Sequence, residues 1–94
     1  MAVDISRSHH MDKATTRGVV EKIAESLRES LHFDYRWHGD RLTFERIGVN
    51  GYIDIADHRV RIYVKRSFLL PVSESWIRQQ VEAALDEYIT NGNG

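Results

Sequence analysis

Ser6, Arg7, Ser8, His9, His10 and Met11 stand together where a short apolar strand ends and a long helix begins. An arginine beside two histidines offers a fixed cation for an anionic group. It also offers nitrogen ligands for a metal and side chains of the one type that changes charge near neutral pH. Three readings of the group are open: a ligand or metal site, a structural junction, or the remnant of a purification tag. Arg17 follows about one helical turn into the helix, and Trp37 lies on the next strand. Arg7, His9, His10, Arg17 and Trp37 are therefore the candidate polar binding site, at one end of a sheet-and-helix layer.

Other chemistry is sparse. There is no GxGxxG, no GxxxxGK[ST], no HExxH and no GxSxG, so no catalytic residue is assigned. The five histidines are His9, His10, His32, His38 and His58, and no two are spaced i,i+4 on a predicted helix. The chain has no cysteine, so a structural zinc site would need an unusual all-histidine or carboxylate set. Neither a metal nor a cofactor is expected. His38 and His58 fall at turns, where polar residues are common.

The second candidate is apolar. "SFLLPVSESW" carries Phe68, Leu69, Leu70 and Trp76 where the last strand hands over to the final helix. They either cap the end of the core or form an apolar interaction surface for a ligand, a partner or a second subunit.

The elements that must position these residues follow from periodicity. Val3 and Ile5 mark a first strand. Asp12 is a helix N-cap, and Val20, Ile23, Leu27 and Leu31 recur at spacings of three and four through residues 13–31. Glu21, Glu25 and Glu29 make a separate stripe, read as a solvated face. Gly18 inside this helix predicts close packing against a neighbour. Four further strands alternate in period two: "FDYRW", "RLTFER", "GYIDI" and "RVRIYVK". Gly39-Asp40, a stretch with Gly48 and Asn50-Gly51, and Asp57-His58 connect them as hairpins. Pro71 stops the last strand. Ser73 caps a second helix whose apolar face is Ile77, Val81, Ala84, Leu85 and Tyr88.

The expected fold is α+β, in the order β-α-β-β-β-β-α: a curved antiparallel sheet of about five strands with both helices packed on one face. The expected strand order is 2-3-4-5-1. Residues 1–90 are expected to form a single domain, and residues 91–94 a disordered tail.

The outer sheet face then carries Arg36, Arg59, Arg61 and Lys65 with Asp34, Glu45 and Asp54. Cross-strand ion pairing explains this mixture better than a basic patch for nucleic acid. Tyr52 and Tyr63 share the face and suit a dimer contact or a small-molecule surface.

Composition agrees with a small globular domain. The chain has 94 residues, 41% hydrophobic and 29% charged, with a formal charge of −1. A sequence-independent nucleic-acid binder carries a basic excess, which is absent here. Absence of cysteine makes a reducing cytoplasm the simplest location. Asp4 and Arg7 interrupt any secretory signal core, and no apolar run approaches the ~18 residues of a membrane span.

The sequence also resembles a bacterial family, the putative polyhydroxyalkanoic acid system proteins. The resemblance is carried by "ISRSHHM" at 5–11, Ala14 and Arg17, "EKIAESL" at 21–27, "YRWHGDRLTFERIGVNG" at 35–51 and "FLL" at 68–70. Ser67 stands where the family pattern has glycine. The resemblance spans nearly the whole chain and places Arg7, His9 and His10 in the native sequence, which removes the tag reading. It implies a link to the storage polyester and its intracellular granules. Nothing resembles the nucleophile motifs of the polyester synthases or depolymerases.

Three functions are therefore expected in turn. The first is a non-enzymatic cytoplasmic accessory protein binding the polyhydroxyalkanoate granule or a granule protein. The second is a small hydrophobic-ligand binder or enzyme using the sheet–helix interior. The third is a homo-oligomerising structural domain, with a homodimer as its simplest form.

Overall fold

Each helix starts where a side chain can satisfy its free backbone N–H groups. In the computed structural model, which describes residues 2–67 and 72–89, Asp12 accepts a hydrogen bond from the Thr15 backbone N–H at 2.7 Å. Helix α1 then runs over Lys13–Leu31. It ends on His32, whose left-handed backbone (φ 56°) turns the chain back toward the sheet. The Arg46 guanidinium donates to the exposed end of this helix, at the Leu31 carbonyl, at 2.9 Å. Ser73 caps helix α2, Glu74–Tyr88, by accepting from the Trp76 N–H at 3.0 Å. Glu74 adds a favourable negative charge in its first turn.

Five strands complete the fold: β1 (Ala2–Ser8), β2 (Asp34–His38), β3 (Arg41–Arg46), β4 (Val49–Ala56) and β5 (Arg59–Arg66). Their order is β1-β5-β4-β3-β2, all pairs antiparallel. This is the expected 2-3-4-5-1 arrangement read from the other edge. Three two-residue turns make the meander, and Gly39 (φ 61°) and Gly48 (φ 93°) supply the positive φ that two of them need. Pro71, the expected stop after β5, lies outside the described residues.

The expected connection through Gly48 and Asn50-Gly51 is a turn only at its Gly48 end. Asn50 and Gly51 lie inside β4, paired with Glu45 and Phe44, and the reversal falls at Ile47–Gly48. A Cβ at Gly51 would lie 2.0 Å from the Tyr63 carbonyl oxygen and 2.7 Å from the Phe44 ring. The glycine is there because β5 and the Phe44 ring both occupy the space of its side chain.

Inner and outer faces separate by parity. Val3, Phe44, Ile53, Ile62 and Val64 point inward with Phe33 and join Val20, Ile23 and Leu27 of α1 and Ile77, Val81 and Leu85 of α2 in one core. Phe33 stacks on Phe44 with ring centroids 4.5 Å apart. The helices pack on each other and on the same sheet face, α2 against β1 and α1 across β4.

Gly18 departs from expectation. It is exposed, and nothing lies within 4 Å of where its Cβ would be. No close approach accounts for it. Gly18→Ala should therefore stabilise the fold by up to about 1 kcal/mol, the helix-propensity difference. Gly51→Ala should destabilise it by about 1–3 kcal/mol through overpacking. Urea titrations of the two variants against the parent chain measure both signs at once.

Candidate functional site

The β1–α1 connection, the β4–β5 turn and the β2–β3 turn all lie at one end of the sheet, as the pairings Ser8–Arg59, Ala56–Arg59 and Arg41–Asp54 require. Four of the five candidate polar residues are bound into this end as ties between elements. Arg7, at the end of β1, reaches across to α2 and forms an ion pair with Asp86 at 2.6 Å. His9 is buried. Its backbone N–H donates to the His58 carbonyl in the β4–β5 turn at 3.0 Å. Its ring Nδ1 accepts from the Met11 N–H at 3.2 Å, which puts the ring proton on Nε2. That Nε2 is buried without a hydrogen-bond partner. His10 is exposed.

Arg17 and Trp37 form a second group. The Arg17 guanidinium lies over the Trp37 ring, 4.0 Å from its centroid, and donates to the Gly39 carbonyl at 2.6 Å. Lys13, one turn earlier, reaches Asp40 at 2.9 Å. Together these clamp the start of α1 onto the β2–β3 hairpin. The predicted five-residue site is thus resolved into an Arg7–His9 junction, an Arg17–Trp37 clamp and a separate, exposed His10.

Sequence periodicity misses the partner of that clamp. Glu21 has the spacing of a solvated stripe, but its carboxylate accepts from the Trp37 Nε1–H at 2.8 Å and from the Tyr35 hydroxyl. Glu25, one turn on, also meets that hydroxyl. The available signal is an edge strand presenting Tyr35 and Trp37 on one face, opposite glutamates spaced i,i+4. Hydrogen bonds from Tyr35 and then Trp37 hold the Glu21 carboxyl below its ordinary value, against the opposing effect of burial. Burial, followed by the bonds to Glu21 and Glu25, pushes the Tyr35 phenol well up.

The outer sheet face is open. Tyr52 and Tyr63, directly opposite each other on β4 and β5, stack with centroids 5.3 Å apart. The Arg41 guanidinium covers Tyr52 at 4.0 Å and grips Asp54 through two bonds of 2.6 and 2.8 Å. Arg61 grips Asp4 in the same two-pronged way, at 2.9 and 2.6 Å, and holds the Asp4 carboxyl below the usual range. Ion pairs do cross the strands, but not between the expected residues: Asp54 is taken by Arg41 and Arg61 by Asp4, both unforeseen partners. Asp34 and Glu45 instead face each other, carboxylate opposite carboxylate. They border a shallow hollow of about 500 Å³ that also takes in Arg36, Thr43, Tyr52 and Tyr63.

Of the apolar candidates, Phe68, Leu69 and Leu70 lie outside the described residues, as does the expected 91–94 tail. Trp76 is half-buried and packs on the core. The large apolar side chain that stands exposed among the described residues is Ile47, at 79%. Among the described residues no group of three or more histidine, aspartate or glutamate side chains is placed to hold a metal. No described helix is long and apolar enough to cross a membrane.

A carboxyl whose folded value is lowered stabilises the fold above its unfolded value, 4.5 for Glu21, and loses that contribution as pH falls through the folded value. Glu21→Gln should lower stability at pH 7. It should also flatten the loss of stability between about pH 5 and pH 3, where the parent chain surrenders this contribution. Thermal melts across that range, read by circular dichroism, compare the two slopes.

One of three comparisons with known proteins finds a match. The sequence model of the family described as "putative polyhydroxyalkanoic acid system protein" matches residues 3–89, from the buried Val3 of β1 to Ile89 at the end of α2. No curated protein and no solved structure matches the chain. The matched span takes in both helices and, but for Ala2, all five strands, and the chain belongs to the putative polyhydroxyalkanoic acid system family.

Proposed function

We propose that this protein is a non-enzymatic accessory of the polyhydroxyalkanoate storage system, resident in the cytoplasm and binding the granule surface or a granule protein through an apolar patch. Family membership supports the storage context. The observation that carries the binding role is the exposure of Ile47, 79% accessible at the tip of the β3–β4 turn. Single exposed apolar residues are ordinary on a protein surface. This one stands beside the end of β5.

The Ser67 N–H donates to the carbonyl of Gly48, next to Ile47, at 2.8 Å. The chain thus leaves β5 beside the Ile47 turn, with Phe68, Leu69 and Leu70 next in sequence. Arg46, Lys65 and Arg66 stand around the same end of the sheet. A polyester presents alkyl side groups and ester carbonyls with no formal charge. Leucine, isoleucine and phenylalanine gain by leaving water on such a surface, at about 25 cal/mol per Å² buried. Basic side chains at the rim keep the rest of the domain hydrated.

In this reading the polar end is a junction and not a pocket. Arg7 and Arg17 each direct Nη1 to another element, at Asp86 and the Gly39 carbonyl, and Trp37 gives its single N–H to Glu21, so all three side chains are held as ties between elements.

Co-sedimentation tests the proposal. The full chain is incubated with granules from polyester-accumulating cells and, separately, with protein-free polyhydroxybutyrate particles. The parent chain should pellet with the granules, and Ile47→Asp and Leu69→Asp/Leu70→Asp should shift it to the supernatant. Pelleting with granules alone points to a granule protein; pelleting with both points to the polymer. A parent chain that stays in the supernatant with both contradicts the proposal.

A further inference from the structure

The geometry points to the open sheet face as a docking surface for a second copy of this chain, seated face to face about a two-fold axis that runs along β4. This rests on the outer face alone and shares only Lys65 with the rim of the proposed granule-binding end.

The strand register arranges the outer side chains in rows across the sheet. One row reads Lys65, Asn50, Glu45, Asp34 from β5 to β2. The next reads Asp4, Tyr63, Tyr52, Thr43, Arg36 from β1 to β2. Charge is distributed unevenly about the middle strand. In the first row the cation is on β5 and the anions are on β3 and β2. In the second row the anion is on β1 and the cation is on β2.

The charged groups of Lys65, Glu45, Asp34 and Arg36 are all exposed and have no ion-pair partner among the described residues. Two carboxylates directly opposite each other, as Asp34 and Glu45 are, destabilise an isolated sheet. A cation arriving from outside removes that cost.

A two-fold axis along β4 keeps each row at its own level and exchanges the two sides of the sheet. Strand β5 then lies over β3 of the second copy, β1 over β2, and β4 over itself. Lys65 meets Glu45 of the second copy, with Asp34 beside it. Arg36 meets Asp4, and the Tyr52 rings meet at the axis. Each pairing occurs twice by symmetry, except at the axis itself. In the following row Arg61 lies over Arg41 and Asp54 over itself at the axis; the Arg61–Asp4 and Arg41–Asp54 ion pairs leave these groups neutral in sum, so Arg36 adds a second cation to an Asp4 that Arg61 already holds. An axis perpendicular to the strands through the tyrosine row would instead set Arg36 on Arg36 and Asp4 on Asp4.

The residue types also suit a protein partner. Tyrosine and arginine are enriched where interfaces carry their binding energy. A nucleic-acid strand would need free aromatic faces for its bases. Tyr52 is stacked by Tyr63 and covered by Arg41. Strands spaced by about 4.8 Å, with about 3.3 Å per residue along each, make a face of roughly 440 Å² per copy and about 900 Å² for the pair. That is the low end for specific association and predicts a reversible dimer.

Sedimentation velocity of the full chain from about 1 µM to about 1 mM tests this. The parent chain should pass from monomer to dimer within that range. Lys65→Glu and Glu45→Lys should each weaken the dimer at least ~10-fold, because each sets like charges against each other. An equimolar mixture of the two variants should restore association, since both contacts between positions 65 and 45 in the mixed dimer again join opposite charges. Circular dichroism verifies that both variants fold. Tyr52→Lys, which sets two ammonium groups at the axis, should also be monomeric and provides an independent test. A parent chain that stays monomeric throughout, single variants that dimerise like the parent, or a mixture no stronger than its components would overturn the proposal. So would binding of a single-stranded oligonucleotide that Tyr52→Lys leaves intact and that needs no dimer.

Discussion

The ring of Phe44 occupies the space where a side chain at position 51 would stand, and the sheet depends on that substitution of ring for side chain. Phe44 pairs with Gly51 across β3 and β4, stacks on Phe33 and so joins the start of β2 to the middle of the core. With the ring in place, the inner face is continuous from Val3 on one edge to Phe33 near the other. Two amphipathic helices can then lie on it side by side. Burying one face of the sheet under both helices leaves the other with no cover from the described chain, and the open face follows from that asymmetry.

The polar residues divide along the same line. On the helix side they serve as ties. Arg7 fastens β1 to α2, His9 fastens the connection to the β4–β5 turn, and Arg17, Trp37 and Glu21 fasten α1 to the edge hairpin. These ties sit at the rim of an apolar layer, where most of the groups keep part of their hydration. On the open side the charged residues form surface pairs of modest energetic weight, and Lys65, Glu45, Asp34 and Arg36 stand outside those pairs. Charges arranged in rows in this way contribute little to the monomer and much to the choice of partner.

Much of this was legible in the sequence. Period-two alternation marks four of the strands and their faces, because a strand with one buried side has a single workable register. Asp12 and Ser73 mark both helix starts, because only a few side chains can satisfy free N–H groups there. What escaped depended on contacts between distant elements. Asn50-Gly51 has the composition of a turn, and only Phe44 and β5 explain a glycine in a strand. Glu21 has the spacing of a solvated stripe, and only the edge-strand tyrosine and tryptophan give it partners. Asp54 lies directly opposite both Arg61 and Arg41 in the register, yet its two-pronged bond goes to Arg41 while Arg61 reaches across to Asp4. Gly18 has the signature of close packing and meets open space. The Arg7–His9–His10 group is visible as a motif, while its division into a junction and an exposed histidine follows from where β1 meets the β4–β5 turn.

One face of the sheet is sealed and the other is open, and residue-resolved hydroxyl-radical footprinting in dilute solution measures this directly. Ile47 should be oxidised rapidly and the rings of Tyr52 and Tyr63 at a substantial rate, whereas Phe33 and Phe44, each 2% accessible, should be almost unreactive. Phe33 and Phe44 reacting as fast as the outer tyrosines would contradict the account.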